Sequence, residues 1–187
     1  MSKLWRGSLS IKEHWDTTMN KKPKDKLTVE IVTYQPSLAQ DFYSINAQWV
    51  NDMFKMEAID EKILSNPQKY IIDKGGQIWF ARHEELGVIG TCAVKNFGDN
   101  WYELTKMGVL SSARGLKAGE VLLKQVLHDC QQMEVDTLFL LTNSKCEAAI
   151  HLYEKNGFVH DQGIKDKFKG LYDRSDVFMK YLGNKTT

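Results

Sequence analysis

The stretch Val109-Leu-Ser-Ser-Ala-Arg114-Gly115-Leu116-Lys117-Ala118-Gly119 carries the pattern of a strand that passes through a glycine-bearing turn into a helix. Such a junction leaves backbone N–H groups pointing outward, and the helix dipole adds roughly half a positive charge at that end. Phosphate or diphosphate can be held there without a basic groove. A tight loop with a glycine near its helix start would read the same way. No other spacing is as suggestive. Cys92, Cys130 and Cys146 lie far apart, and with His14, His83, His128, His151 and His160 they form no cluster at metal-ligand spacing, so no metal is expected. No Walker loop and no dinucleotide Gly-x-Gly-x-x-Gly occurs, which argues against kinase and dehydrogenase chemistry.

The elements around this junction can be traced from periodicity. Alternation from Leu27 to Thr33 predicts a first strand, and Pro36 then opens a helix with Leu38, Phe42, Ile45, Trp49 and Phe54 at helical spacing. A short helix over Ile59 to Leu64 is closed by Asn66-Pro67. Strands follow at Gln77 to Ala81, Val88 to Val94 and Tyr102 to Val109, the last two joined by the turn Gly98-Asp99-Asn100 as an antiparallel hairpin. After Val109 the period changes. Ala118, Leu122, Val126 and Cys130 trace a buried helical stripe, so the strand-to-helix switch falls at residues 110–116. Thr137 to Leu141 reads as a strand covered on both faces, and Cys146 to Asn156 as a helix that Gly157 ends in a left-handed cap. Phe158 to Gln162 and Val177 to Leu182 complete the sheet, with the charged segment Lys165 to Arg174 looping between them.

Bulk composition limits the partners. The chain has 187 residues, 42% of them hydrophobic, which is enough for the core of one domain. The polar stretch 1–26, ending in a lysine-rich run, reads as an N-terminal extension ahead of a domain covering 27–187. With 25 basic and 24 acidic residues no bulk field draws the chain to nucleic acid or to a membrane surface. The apolar runs fall far short of the ~20 residues that cross a bilayer. No charged-then-apolar leader is visible, so reduced thiols in the cytoplasm are expected. A homodimer is left open.

The junction gains meaning beside a second stretch, Asn143-Ser-Lys-Cys-Glu-Ala-Ala-Ile-His-Leu152-Tyr153-Glu-Lys-Asn-Gly157-Phe158. In that order the two resemble the signature segments of the GCN5-related N-acetyltransferases. The first is similar to that family's pyrophosphate-binding pattern, and the second to its helix that begins after an asparagine and ends in a Leu-Tyr, Gly-Phe pairing. Residues 102–109 have the look of its central splayed strand. The resemblance covers roughly Leu27 to Leu182. It implies an α/β (α+β) acyl-CoA N-acyltransferase fold: a mixed, mostly antiparallel sheet of six to seven strands with a splayed central strand, flanked by about four helices. Lys117 departs from the pattern, standing where the family usually has its middle glycine. A Cβ there strains the backbone if φ must be positive, while the lysine charge could instead serve the phosphates.

The implied activity is transfer of the acetyl group of acetyl-CoA to a primary amine of a small molecule or peptide, by direct attack in a ternary complex. The alternative is a non-catalytic acyl-CoA-binding sensor or interaction module. The resemblance places Met107, Val109, Arg114, Gly115, Leu116, Lys117, Ala118, Gly119, Asn143 and Tyr153 against the cosubstrate. It makes Glu103 the first candidate for the base and Tyr153 the group that reaches the CoA sulfur. Glu57, in the helical segment expected to wall the acceptor site, is the second candidate base. Asp52, Glu57, Asp60 and Glu61 gather on that side and would suit a cationic substrate. Ser144 to Glu147 also reads as a capping box, which would leave Asn143 merely flanking a helix start.

Overall fold

The computed structural model describes residues 29–183, so the extension 1–26 and the start of the first expected strand lie outside the described residues. Seven strands form one sheet: β1 (Val29–Thr33), β2 (Gln77–His83), β3 (Gly87–Asn96), β4 (Trp101–Val109), β5 (Thr137–Thr142), β6 (Phe158–His160) and β7 (Val177–Tyr181). Their spatial order is β1-β2-β3-β4-β5-β7-β6. Six α-helices flank them: α1 (Ala39–Met53), α2 (Ala58–Ser65), α3 (Pro67–Tyr70), α4 (Ala118–Gln132), α5 (Glu147–Lys155) and α6 (Gln162–Phe168). None is long and apolar enough to cross a membrane.

The middle of the sheet is covered on both faces, which is why its strands read as continuous apolar runs. On β2, Trp79 packs with Leu122, Leu123 and Val126 of α4, whereas Ile78 and Phe80 pack with Phe42 of α1 and Ile63 and Leu64 of α2. At one end Phe139 of β5 stacks on Phe168 of α6 with ring centroids 4.3 Å apart. α6 takes up the start of the segment Lys165 to Arg174 that the sequence reads as a loop, and the expected strand Phe158 to Gln162 stops at His160. Only Ile164 and Phe168 of α6 are buried, one pair at i and i+4, too short a stripe for periodicity to reveal. Its start is fixed locally, because the Asp161 carboxylate accepts from the Ile164 N–H at 2.8 Å.

Two irregularities of β4 open the site. β4 and β5, joined through α4, are the parallel pair of an otherwise antiparallel sheet, and their pairing runs only from Trp101 opposite Thr137 to Leu104 opposite Leu140. From Thr105 onward the strands diverge. On its other edge β4 is bulged, since the step from Thr91 to Ala93 on β3 spans Gly108 to Thr105 on β4. Lys106 sits in the bulge with φ +52. The extra residue shifts side-chain parity: Leu104 and Met107, three apart, both join the α4-side core, while a Cβ on Gly108 would point at Ile45 and Trp49 of α1.

Candidate functional site

The divergence of β4 and β5 leaves an inner cavity of about 90 Å³ lined by Leu104 to Met107 on one side and Leu140 to Asn143 on the other. Trp49 and Val50 of α1 and the loop residues Tyr172, Arg174 and Ser175 close it. A wider groove of about 520 Å³ runs from there along α5, past Met107, Gly108 and Val109, to Gly119 in the first turn of α4. The cavity and the groove share Trp49, Met107, Ala149 and Tyr153 as wall. One elongated ligand can therefore run from the α4 terminus into the cavity.

At the α4 terminus the chain passes Arg114, Gly115 at φ +85 and Leu116 to reach Lys117, the N-cap, at φ +56 and ψ 20. The position does need positive φ, and a left-handed backbone at a residue with a Cβ costs about 1–2 kcal/mol. The Lys117 side chain makes no capping bond, so the first-turn amides of α4 are not capped by it. Arg114 and Lys117 are exposed, while Ala118 is buried against Ala113. A Cβ at Gly119 would stand 3.7 Å from Leu152, Met107 and Val109, which is ordinary contact, so the protein's own packing does not demand glycine there. The open side of Gly119 faces the groove. An uncapped, glycine-rich helix start beside an open groove fits a pyrophosphate carrying a long arm.

Glu103 is 1% exposed and does not itself line the cavity. Its carboxylate accepts a hydrogen bond from the Tyr172 hydroxyl at 3.3 Å. Burial raises its pKa, against the opposing charges of Lys106 and Lys95 and the bond from Tyr172. Tyr153 is buried, with its hydroxyl 3.7 Å from the Met107 sulfur, and burial pushes its phenol up. It stays a proton donor at neutral pH. Asn143 lines the cavity but is engaged on both sides, donating to the Arg174 carbonyl and accepting from the Lys145 N–H. The expected capping box is not formed: α5 is capped by Cys146 without a side-chain bond, and Ser144 bonds Asp176 through both its N–H and its hydroxyl.

The acidic cluster is arranged differently from the expectation of an open acidic wall. Asp60, fully buried, accepts from Lys106 at 2.5 Å and from both Arg174 guanidinium nitrogens at 2.6 and 3.0 Å. Glu57 is the N-cap of α2, forms a capping box with Asp60, and binds Arg174 at 2.8 Å. Glu61 accepts from the Tyr43 hydroxyl. Asp60 and Glu57 are taken up in tying α2 to β4 and the loop before β7, and Glu61 in tying α2 to α1. Lys106, Tyr172 and Arg174 carry no sequence signal for this role, because each becomes significant only through partners from 46 to 117 residues away.

A mixed sheet splayed at its parallel pair, with a groove running from the splay to an uncapped glycine-bearing helix start, defines an acyl-CoA N-acyltransferase fold. The family described as "Acetyltransferase (GNAT) family" matches residues 39–158, and the chain belongs to that family and is an acyltransferase. A relative in Schizosaccharomyces pombe, an uncharacterized N-acetyltransferase, is 25% identical over 66% of this chain and 77% of its own length. A GNAT acetyltransferase from Staphylococcus aureus Mu50 superimposes with a TM-score of 0.74 at 25% identity, covering 82% of this chain and 98% of that one. PaiA N-acetyltransferase from Thermoplasma acidophilum, solved in complex with coenzyme A, shares the fold with a TM-score of 0.61 at 16% identity, over 83% and 99% of the two chains.

Proposed function

We propose that residues 27–187 act as one cytoplasmic domain that transfers the acetyl group of acetyl-CoA to a primary amine of a small molecule or peptide, by direct attack in a ternary complex. The observation that carries this reading is the shared wall of groove and cavity at Met107 and Tyr153. A cosubstrate held in the groove would bring its thioester to the mouth of a separate cavity where an amine can wait.

The backbone from Arg114 through Gly115, Leu116, Lys117, Ala118 and Gly119 would hold the diphosphate at the α4 dipole, and Met107, Val109 and Asn143 would line the arm. A lysine-like ammonium of pKa about 10.4 must first lose a proton, a handicap of about 4.6 kcal/mol at pH 7. Glu103 is the group to take it. Burial pushes its carboxyl above the usual carboxylate range, against the opposing charges of Lys106 and Lys95, which makes its ionised form a stronger base than an exposed glutamate. Glu57, already bonded to Arg174 and two backbone amides, is less free to do so. Tyr153, protonated and at the junction, would donate to the departing thiolate.

The test follows free thiol while the protein and acetyl-CoA are incubated with amino acids, polyamines, aminoglycosides and peptide amines. Thiol release with at least one amine supports the reading. Release at background with every amine, despite tight acetyl-CoA binding by calorimetry, would remove it.

A further inference from the structure

Glu103 is a base without a view of the acceptor. It is 1% exposed and absent from the cavity lining, whereas Tyr172, whose hydroxyl it holds, is part of that lining. Tyr172 comes from the loop before β7, 69 residues from Glu103 in the chain, and its side chain is 4% exposed. Its ring is gripped by two cations, with the Lys106 Nζ 5.2 Å and the Arg174 guanidinium carbon 5.5 Å from the centroid. Both cations are fixed in turn by Asp60. The phenol hydroxyl is thus held by the carboxylate behind the wall, on a residue that borders the cavity.

We infer that Tyr172 is the catalytic group that meets the acceptor amine, and that Glu103 works through it. This rests on the reading of Glu103 as base. The ammonium first passes its proton through the Tyr172 Oη to Glu103 Oε2, and Glu103 gives it up to solvent. As the neutral nitrogen's lone pair then bonds to the thioester carbonyl carbon and the C=O pair moves onto oxygen, the nitrogen releases its second proton to the Tyr172 Oη while the phenolic proton passes to the re-ionised Glu103. The C–S bond then breaks, and the thiolate leaves with the bonding pair and takes a proton from Tyr153. Glu103 ends protonated and Tyr153 deprotonated, so before the next turnover Glu103 returns its proton to solvent and Tyr153 regains one from it. Burial raises the Tyr172 phenol well above its ordinary value, and the charges of Glu103 and Asp60 raise it further, so phenolate exists only in passing and the two transfers must be concerted.

The groups that face Glu103 are Lys95 of β3, Lys106 and the Thr105 hydroxyl of β4, and Tyr172, with Lys62 of α2 acting on Lys95. Removal of the Tyr172 hydroxyl therefore has a definite sign. It takes away a donor that favours the carboxylate, so the Glu103 pKa rises and the acid limb of kcat/KM against pH moves to higher pH.

The experiment compares wild type, Tyr172→Phe and Glu103→Gln with an amine accepted by the wild type, reading kcat, the pH profile of kcat/KM and acetyl-CoA affinity by calorimetry. The expected result is that Tyr172→Phe lowers kcat about 100-fold, moves the acid limb upward and leaves acetyl-CoA affinity unchanged. Three results would each overturn the relay while Glu103→Gln is inactive: a wild-type kcat, a moved limb with an unchanged plateau, or a lowered plateau with an unmoved limb. Full activity in Glu103→Gln would instead remove the base reading on which the relay rests. A measurement that needs no variant stands beside these. In single turnovers of wild type in H₂O/D₂O mixtures, two protons moving together give a curved dependence of rate on deuterium fraction, and a straight line would overturn the relay.

Discussion

The Lys106 ammonium lies 2.5 Å from the Asp60 carboxylate, with 5% and 0% of the two side chains exposed, and it reaches that place from a backbone held at φ +52. The bulge that opens β4 and the ion pair that anchors α2 are therefore one structural unit. Arg174 adds the loop before β7 to it through its two bonds to Asp60. Two residues of the inner cavity's wall, Lys106 and Arg174, are thus held by one buried carboxylate.

Asp60→Asn keeps the shape and removes the charge, leaving the buried Lys106 without its carboxylate and Arg174 with Glu57 alone. A loss of about 3–5 kcal/mol is expected in urea titration. Lys106→Met should cost less, because Arg174 continues to neutralise Asp60. Equal losses in the two variants would contradict this division.

The same carboxylate gives an acid limb to stability. Burial pushes Asp60 up, but the hydrogen bond from Arg174 and the charge and bond of Lys106 outweigh it and hold the group below its ordinary value. A carboxyl with a depressed folded pKa contributes stability that is complete above the unfolded value of about 3.9 and is lost as pH falls through the folded one. The stability difference between wild type and Asp60→Asn should be constant near neutral pH and shrink below about pH 4. A difference that shrinks instead between pH 8 and 6 would point to another group.

Glu103→Gln should lower kcat by about 10²- to 10⁴-fold with acetyl-CoA affinity unchanged. In wild type, kcat/KM should rise with pH through a group ionising above the ordinary glutamate value, since burial raises Glu103 and only the ionised form accepts a proton. That limb should vanish in the variant. Its persistence would assign it to the substrate or to another carboxylate.

Lys117→Gly tests the backbone at the α4 N-cap. Relief of the left-handed strain at φ +56 should raise stability by up to about 1 kcal/mol, or about 2–4 °C in the melting temperature. Lys106→Gly, at φ +52, should do the reverse, because it also removes the ion pair with Asp60. A lowered melting temperature in Lys117→Gly would mean that the lysine side chain stabilises the helix start.

Much of the site's scaffold is local and so was legible. The switch from strand to helix after Val109, the buried stripe of α4 and the cap at Gly157 follow from periodicity and glycine placement, and the chain follows them. α6 escaped because its apolar face is two residues wide, and the capping box at Ser144 failed because Asp176, 32 residues away, competes for the same hydroxyl and amide.

By itself the sequence determined the strands, the helices with a long apolar face and the glycine-bearing start of α4, since each depends on residues within one element, and the family, from two such segments in order. Only the tertiary structure decided which carboxylates are free. Asp60 and Glu57 look like an acidic wall along the chain, but Lys106 and Arg174 arrive from β4 and the loop before β7 and neutralise them, while Tyr172 comes between Glu103 and the cavity. Charge and access at a buried position depend on the neighbours packed against it, and here those neighbours lie 46 to 117 residues away in the chain.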